Sequence, residues 1–501
     1  MPNPLFARKP LALLLDESRG EQRLRRVLGP WTLTALGIGG IVGTGIFILT
    51  GVAAHDKTGP ALVVSFMVAG LACVLSALCY AEFASMAPVA GSAYTYAYAT
   101  LGELLAWIIG WDLVLEYTVA AAAVAHGWSA HCRDLLHSFG AHIPAALGNA
   151  PFDFDPALGR FVATGAVLDL PAILIVAILA WVLVRGIRES ARFNAVMVAV
   201  KLSVILFVIA VGAFYVDPAN WRPFAPYGWS GVAIFGHTLL GKSAPDGAPV
   251  GVLAGAAIMF FAYLGFDAVS TQAEETRRPQ RDVPLGIVMS LLVCTVLYIV
   301  VAGVLTGMVP YDRLDIDAPV SDAFAQRGLP WARRLIDVGA LTGITSVLLV
   351  QLLAQPRILM AMGRDGLIPP RLFAAVHPSF GTPWKATIVT AVVVSILASL
   401  LPLRLLAELT NIGTLFAFVV VCAAVLVMRR VQPRAERPFR VPLAPLTPLL
   451  GIAICLVLML SLPAENWLRL VVWLALGLVI YFGYGRRNSV LARLRARQRG
   501  D

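Results

Sequence analysis

The sequence predicts an all-α integral membrane protein with twelve transmembrane helices. Three observations predict it. The 501 residues are 59% hydrophobic and only 14% charged, where soluble domains carry roughly 25% charged residues. Apolar runs of about 20 residues, the length an α-helix needs to cross a bilayer, recur along the whole chain. The Lys and Arg residues are sorted between alternating loops: 27 of the 39 fall on one set, 11 on the other, and Lys201 lies inside a span. Such sorting orients a polytopic membrane protein with its basic loops in the cytoplasm.

Residues 1–30 form a polar, basic segment on the cytoplasmic side. No short apolar stretch with a cleavage site precedes Trp31, so no cleavable signal peptide is expected. The first five predicted spans cover 31–54, 59–84, 102–130, 169–185 and 192–216. The next five cover 251–272, 284–308, 331–362, 385–402 and 408–428. The eighth is longer than a bilayer needs, so it should tilt or extend into the cytoplasm. Residues 31–430 are thus the transmembrane core, 431–485 hold two more spans (445–463 and 467–484), and 486–501 are a basic tail. With the N-terminus inside, RGIRESAR (185–192), EETRRPQRD (274–282), the 357–385 loop, RRVQPRAERPFR (429–440) and the tail also face inward. The outer loops are longer and more acidic, as in YDRLDIDAPVSD (311–322), and the 131–168 loop is Pro/Gly/His-rich without a motif.

Composition and motifs exclude several classes. The net charge of +10 would suggest nucleic acid in a soluble chain, but here it is spent on topology and on contact with anionic lipid. Five of the six cysteines lie in apolar spans without CxxC spacing, so neither a disulfide framework nor a metal site is expected. No GxxxxGK[ST], GxSxG or HExxH run occurs, and GIGGIVG follows no strand. Nucleotide-driven chemistry and enzymatic function are therefore not expected.

Two spans are interrupted. The first carries GIGGIVGTGIF (37–47), with Gly37, Gly39, Gly40, Gly43 and Gly45, although each glycine costs about 1 kcal/mol in a helix interior. Gly39–Gly43 also fits the small-xxx-small pattern of helix packing. Five spans later, FFAYLGFDAVS (260–270) is interrupted by Gly265 and Asp267. Interruptions in corresponding positions of two halves point to a transporter binding site. A helix that unwinds inside the membrane frees N–H and C=O groups that must find partners. A zwitterionic amino acid supplies them: its carboxylate accepts at a half-helix N-terminus and its ammonium donates to freed carbonyls.

GIGGIVGTGIF, CYAEFASMAPVAGSAYTYAY (79–98), FFAYLGFDAVSTQAEET (260–276) and RILMAMGRDGLIP (357–369) together resemble the amino acid–polyamine–organocation (APC) superfamily. More narrowly they resemble bacterial members of its cationic amino acid transporter (CAT) family, over about residues 30–430. The resemblance implies a LeuT-like fold of two inverted five-helix repeats, here with two extra helices and with helices 1 and 6 discontinuous. It implies a bacterial inner-membrane transporter with both termini cytoplasmic. The substrate carboxylate should meet backbone N–H groups around Ile41, Gly43, Thr44 and Gly45, and its ammonium the carbonyls around Phe261, Ala262 and Leu264, with Phe261 as a lid.

Lys201 lies about nine residues into the fifth span, roughly 13 Å deep at 1.5 Å per residue. A buried ammonium is costly and suits proton coupling, although a long side chain can also reach back to the surface. In related proton-driven transporters a fifth-span lysine takes the place of sodium between spans one, five and eight. The resemblance therefore implies a proton as coupling ion and no sodium site, with the ammonium near Gly40, Gly43 and Thr345 or Ser346. Glu116 and Asp267 are intramembrane carboxylates, with Asp112 one turn before Glu116. They either attract a cationic substrate side chain or form a proton relay and inner gate. His126 reads as a packing residue. Arg364 and Asp365 read as structural or gating residues, and 85–102 as an amphipathic inner-face stretch.

The eighth span is apolar around Val347 and Leu348, which disfavours desolvating a cationic side chain. The reading is proton-coupled symport of small neutral amino acids by alternating access. Cationic amino acids or amino acid exchange are the alternatives. No cofactor, nucleic acid or nucleotide is expected, and the expected partners are the amino acid, protons and membrane lipid. Whether a small accessory subunit or a second copy joins them is left open.

Overall fold

The computed structural model describes residues 4–10, 13–14, 24–138, 140–155, 160–245, 247–316, 318–401 and 403–499. Residues 1–3, 11–12 and 15–23 of the N-terminal segment, residue 402 of the ninth predicted span and residues 500–501 of the tail lie outside them. Among the described residues, eight helical stretches are long and apolar enough to cross a membrane, and three further apolar helices are shorter.

A helix stands at each predicted span. The first is split into α1a (Pro30–Ile41) and α1b (Thr44–Phe47, continued by Leu49–Ala53). Then come α2 (Leu62–Met86), α3 (Glu103–Ser138), α4 (Leu170–Arg185) and α5 (Ile187–Gly212). The sixth is split into α6a (Val252–Met259), a 3-10 turn (Phe260–Tyr263) and α6b (Ala268–Thr271). After it follow α7 (Pro279–Met308), α8 (Pro330–Arg364), α9 (Trp384–Leu400), α10 (Leu403–Val431), α11 (Leu446–Ser461) and α12 (Ala464–Ile480).

The first ten helices show one length pattern twice. Each series opens with a broken helix. The pairs α2 and α7 run 25 and 30 residues, and α3 and α8 run 36 and 35. The short helices α4 and α9 have 16 and 17 residues, and α5 and α10 have 26 and 29. Packing follows this pairing: α7 lies along α2 and α1a, α8 along α3 and α5, and α9 along α4. The outward faces are apolar, with Ile178 and Trp181 on α4, Val392 and Ile396 on α9 and Val472 and Val479 on α12 all exposed. Water disfavours such faces and lipid tails do not.

Among the described residues, three antiparallel hairpins sit in the long loops. β1 (Phe152–Asp155) pairs β2 (Arg160–Ala163) between α3 and α4. β3 (Val232–Ile234) pairs β4 (His237–Leu240), and β5 (Lys242–Ser243) pairs β6 (Pro249–Val250), between α5 and α6a.

Two expectations are corrected. α3 runs on to Ser138, well into the stretch read as loop, because a helix needs no apolar residues once it projects beyond the core. The Tyr-rich stretch forms a helix at Ala93–Thr100, but every residue of it is buried. It packs inside the protein rather than along a membrane surface. Its alternation of Ala and Tyr hides this, since small and large side chains interdigitate in a core as well as at an interface.

Candidate functional site

The break in α1 falls at Val42 and Gly43. Val42 is extended (φ −78°, ψ 108°) and Gly43 adopts φ −168°, ψ −124°. From Leu36 to Phe47 only Thr44 is not fully buried, so the start of α1b is the part of the break that opens to a space. The first N–H groups of a helix have no acceptor within it. At α1b these belong to Thr44 and Gly45, since the Ile46 N–H already donates to the Gly43 carbonyl at 3.3 Å.

The break in α6 falls at Leu264–Asp267. Leu264 is extended and Gly265 has φ +109°, a conformation that L side chains rarely adopt. The two breaks touch through their backbones. A Cβ on Gly45 would lie 2.4 Å from Ala262 Cβ, and one on Gly265 would lie 2.6 Å from the Gly40 carbonyl oxygen. Gly40, Gly45 and Gly265 thus stand where the two unwound chains cross, while Gly37, Gly39 and Gly43 face Ser290, Asn194 and Val347 of neighbouring helices.

Tyr298 of α7 joins the two breaks. Its hydroxyl lies 2.9 Å from the Ile41 carbonyl oxygen and 2.9 Å from that of Ala262. One O–H serves two freed acceptors in a fully buried place. Sequence reasoning misses it, because a lone tyrosine in an apolar span carries no spacing signal. Tyr298→Phe should leave both carbonyls without that donor, at a cost of about 1–3 kcal/mol. The expected result is a lower melting temperature and slower uptake with unchanged insertion into the membrane; thermal unfolding of the purified protein checks it.

Lys201 is fully buried on α5. Its Nζ donates to the carbonyls of Ile38 (3.0 Å), Gly39 (3.0 Å) and Val42 (2.7 Å) and lies 2.7 Å from Ser346 Oγ on α8. Ser346 in turn lies 3.0 Å from the Gly39 oxygen. These carbonyls belong to the end of α1a, where the last C=O groups lack helical partners and the dipole is negative. The ammonium thus caps a broken helix from two neighbouring helices. Of the two α8 residues expected there, Ser346 makes the contact, while Thr345 Oγ1 accepts from Trp128 Nε1 at 2.8 Å. Asn194, two turns before Lys201, donates from Nδ2 to the Ala35 carbonyl at 2.9 Å; its seven-residue spacing on the same helix face was the available signal.

Asp112, Glu116 and Asp267 are all buried. Asp267 Oδ2 accepts from the Tyr117 hydroxyl at 2.5 Å, which ties the α6 break to α3. Thr414 of α10 hydrogen-bonds Glu116. Both Asp112 oxygens and Glu116 Oε2 are without partners among the described residues. His126 is held between the Ala398 carbonyl (3.2 Å) and Asp169 Oδ2 (3.5 Å). Among the described residues no group of His, Cys, Asp and Glu could hold a metal ion.

One side of the site is closed by ion pairs. Arg357 of α8 grips Glu275 with two bonds (Nε 2.7 Å, Nη2 2.9 Å), and Arg364 grips Glu274 (2.8 and 3.1 Å). Bidentate pairs of this kind are the strong, directional ones. The backbone before α1a joins them, as Val27 and Leu28 N–H groups donate to the Glu275 carbonyl. Asp365 pairs with Lys9 and accepts from the Tyr94 hydroxyl at 2.6 Å. The acidic pair Glu274–Glu275 escaped sequence reasoning because its partners lie about eighty to ninety residues away.

The sequence profile described as amino acid permease matches residues 28–482. The chain is 48% identical to a methylthioribose transporter of Bacillus subtilis (strain 168) over 487 residues, 97% of this chain and 99% of that one. It is 46% identical to the branched-chain amino acid permease BcaP of the same organism over 492 residues, 98% and 100% of the two chains. It is also 41% identical to the vacuolar cationic amino acid transporter 4 of Arabidopsis thaliana over 432 residues, 86% and 68% of the two chains.

Proposed function

The chain belongs to the amino acid permease family, and we propose that within it this protein is a proton-driven symporter of neutral amino acids with small or branched apolar side chains. It is a membrane transporter rather than an enzyme, as its relatives are named. The observation that carries the proposal is the ammonium of Lys201 set on three freed carbonyls of α1a and on Ser346. A fixed cation there fills the place an alkali ion would need and can release and regain a proton as α1 moves against α5 and α8. No sodium is used.

The repeated length pattern and the paired breaks support a LeuT-like arrangement of twelve membrane helices, α1–α5 and α6–α10 being inverted repeats. The basic loops support cytoplasmic termini. α1, α2, α6 and α7 then rock against α3, α4, α8 and α9 around the fixed site. The ion pairs Arg357–Glu275 and Arg364–Glu274 close the cytoplasmic side and must part for release. The substrate carboxylate meets the N–H groups at Gly43, Thr44 and Gly45 beside Ile41. Its ammonium meets the carbonyls of Phe261, Ala262 and Leu264.

Neutral side chains fit because α8 turns apolar atoms to the break: a Cβ on Gly43 would lie 2.5 Å from Val347 Cγ2, and one on Gly40 2.9 Å from Val350 Cγ1. A cationic side chain would lose its hydration against these groups. The name of the Bacillus branched-chain permease supports the same class. A second reading, a cationic substrate, draws on the buried carboxylates Glu116 and Asp267 and on the name of the plant relative. Exchange of one amino acid for another is the third mode. Uptake of labelled alanine, leucine and arginine into proteoliposomes separates them. Alanine or leucine accumulation that needs acid outside and ignores sodium is expected. Arginine accumulation alone would overturn the substrate class, and uptake only with internal amino acid would make the protein an exchanger.

A further inference from the structure

Both ends of the chain meet at two residues on the ion-pair side of the protein. Asp365, just past α8, holds the N-terminal segment by its carboxylate, which pairs with Lys9. It holds the C-terminal segment by its carbonyl, which accepts from the Val490 N–H at 3.0 Å. Glu103, at the start of α3, holds the same two segments the other way round. Its N–H donates to the Ala7 carbonyl at 3.0 Å, and its carboxylate accepts from the Ser489 hydroxyl. The same carboxylate accepts from Tyr98 (2.7 Å) and Tyr481 (2.9 Å). Gly366, at φ +75°, lets the C-terminal backbone come close: a Cβ there would lie 2.4 Å from the Asn488 carbonyl oxygen.

The C-terminal seat is small. Within 489–494 only Ser489 and Leu491 are buried, while Ala492, Arg493 and Leu494 are exposed. A segment held by so few buried contacts opens at low cost. The N-terminal segment has more to guard. Lys9 and Leu14 line one small pocket with Ala90 and Arg364, and Ala90 is buried there. Further along, Leu24 N–H donates to Glu274 Oε1 at 3.2 Å, six residues before α1a begins. Asp365 and Glu103 each grip both segments, so what steadies one grip steadies the other. Such coupling is reciprocal.

We infer that residues 486–491 are a brake on opening of the ion-pair side. Docked, they fix Asp365 and Glu103 where these clasp the N-terminal segment. Undocked, they loosen that clasp and free α1a to move. The inference rests on the movement of α1 proposed above.

Maleimide labelling of Ala90→Cys in lipid nanodiscs tests it. Cys132→Ser is added, because the other native cysteines are buried. Ser489→Asp sets a second carboxylate against Glu103, and a chain ending at Gly485 lacks the brake. Each should label about tenfold faster than the parent, as loss of one charge-assisted contact implies, and should still melt cooperatively. Ser489→Ala, which removes the donor without adding charge, should fall between. Arg364→Gln, which weakens an ion pair without touching the C-terminal segment, should label faster as well. Faster labelling by Arg364→Gln alone would overturn the brake and leave the moving α1 intact. Faster labelling by none of the variants would overturn both. Faster labelling with loss of cooperative melting in both C-terminal variants would make the segment a structural support and overturn the brake.

Discussion

Lys201→Ala is expected to lower proton-driven uptake by a factor on the order of 100. The substitution removes the donor from the carbonyls of Ile38, Gly39 and Val42 and from Ser346 at one stroke. Hydrogen bonds to a charged group are worth about 1.5–3 kcal/mol each, and roughly 2.8 kcal/mol already corresponds to a hundredfold change. Loss of structure and loss of coupling are separated by Lys201→Arg. Arginine keeps a positive charge near α1a but stays protonated at every working pH. It should therefore abolish concentrative uptake driven by a pH gradient while the protein still inserts and melts cooperatively. Proteoliposome uptake with acid outside, compared with melting curves of the three proteins, makes the measurement. Full proton-driven accumulation by Lys201→Ala would remove the basis of the mechanism.

Gly265→Ala is expected to be as damaging, for a different reason. Gly265 sits at φ +109°, and an added Cβ would lie 2.6 Å from the Gly40 carbonyl oxygen. Backbone strain of about 1–3 kcal/mol and a clash of similar size act together. The clash cannot be relieved by a side-chain rotation, because the opposing atom is backbone. Gly45→Ala meets Ala262 Cβ at 2.4 Å and Cα at 2.5 Å, so either change pries α1 from α6. The predicted result is a sharp drop in melting temperature and in substrate binding. By contrast, Gly127→Ala, where nothing lies within 4 Å of the added Cβ, should be nearly silent. Equal effects at Gly265 and Gly127 would show that the crossing of the two breaks does not matter.

How much of this was legible in the sequence follows from the kind of signal each feature carries. The glycine run stands out by its density, five glycines in eleven residues, and Asp267 because apolar spans otherwise exclude charged groups. Lys201 stands out as a charge inside a span, as Asp267 does, and the structure brings it to α1a. The particular acceptors were less legible. Ser346 and Thr345 are adjacent and chemically alike, and only the rotation of α8 about its axis selects Ser346. Rotation is hidden when a helix is apolar on every face, since hydrophobic periodicity then carries no direction. Tyr298 and Tyr117 are hidden likewise: their hydroxyls meet Ile41, Ala262 and Asp267 across long sequence separations. The pairing of Arg357 with Glu275 and Arg364 with Glu274 depends on how α8 returns to α6b, which single-sequence patterns do not encode. The polar end of α3, out to Ser138, carries no hydropathy signal and so reads as loop.

The central claim is that a proton enters with each neutral amino acid and that Lys201 carries it. The most direct test is simultaneous measurement of labelled leucine and internal pH in sodium-free proteoliposomes of wild type and Lys201→Arg. The account predicts that leucine entry acidifies the wild-type lumen in fixed proportion to the leucine taken up, and that Lys201→Arg shows no acidification linked to leucine. Leucine accumulation by the wild type without any change of internal pH, or equal acidification by both proteins, would contradict it.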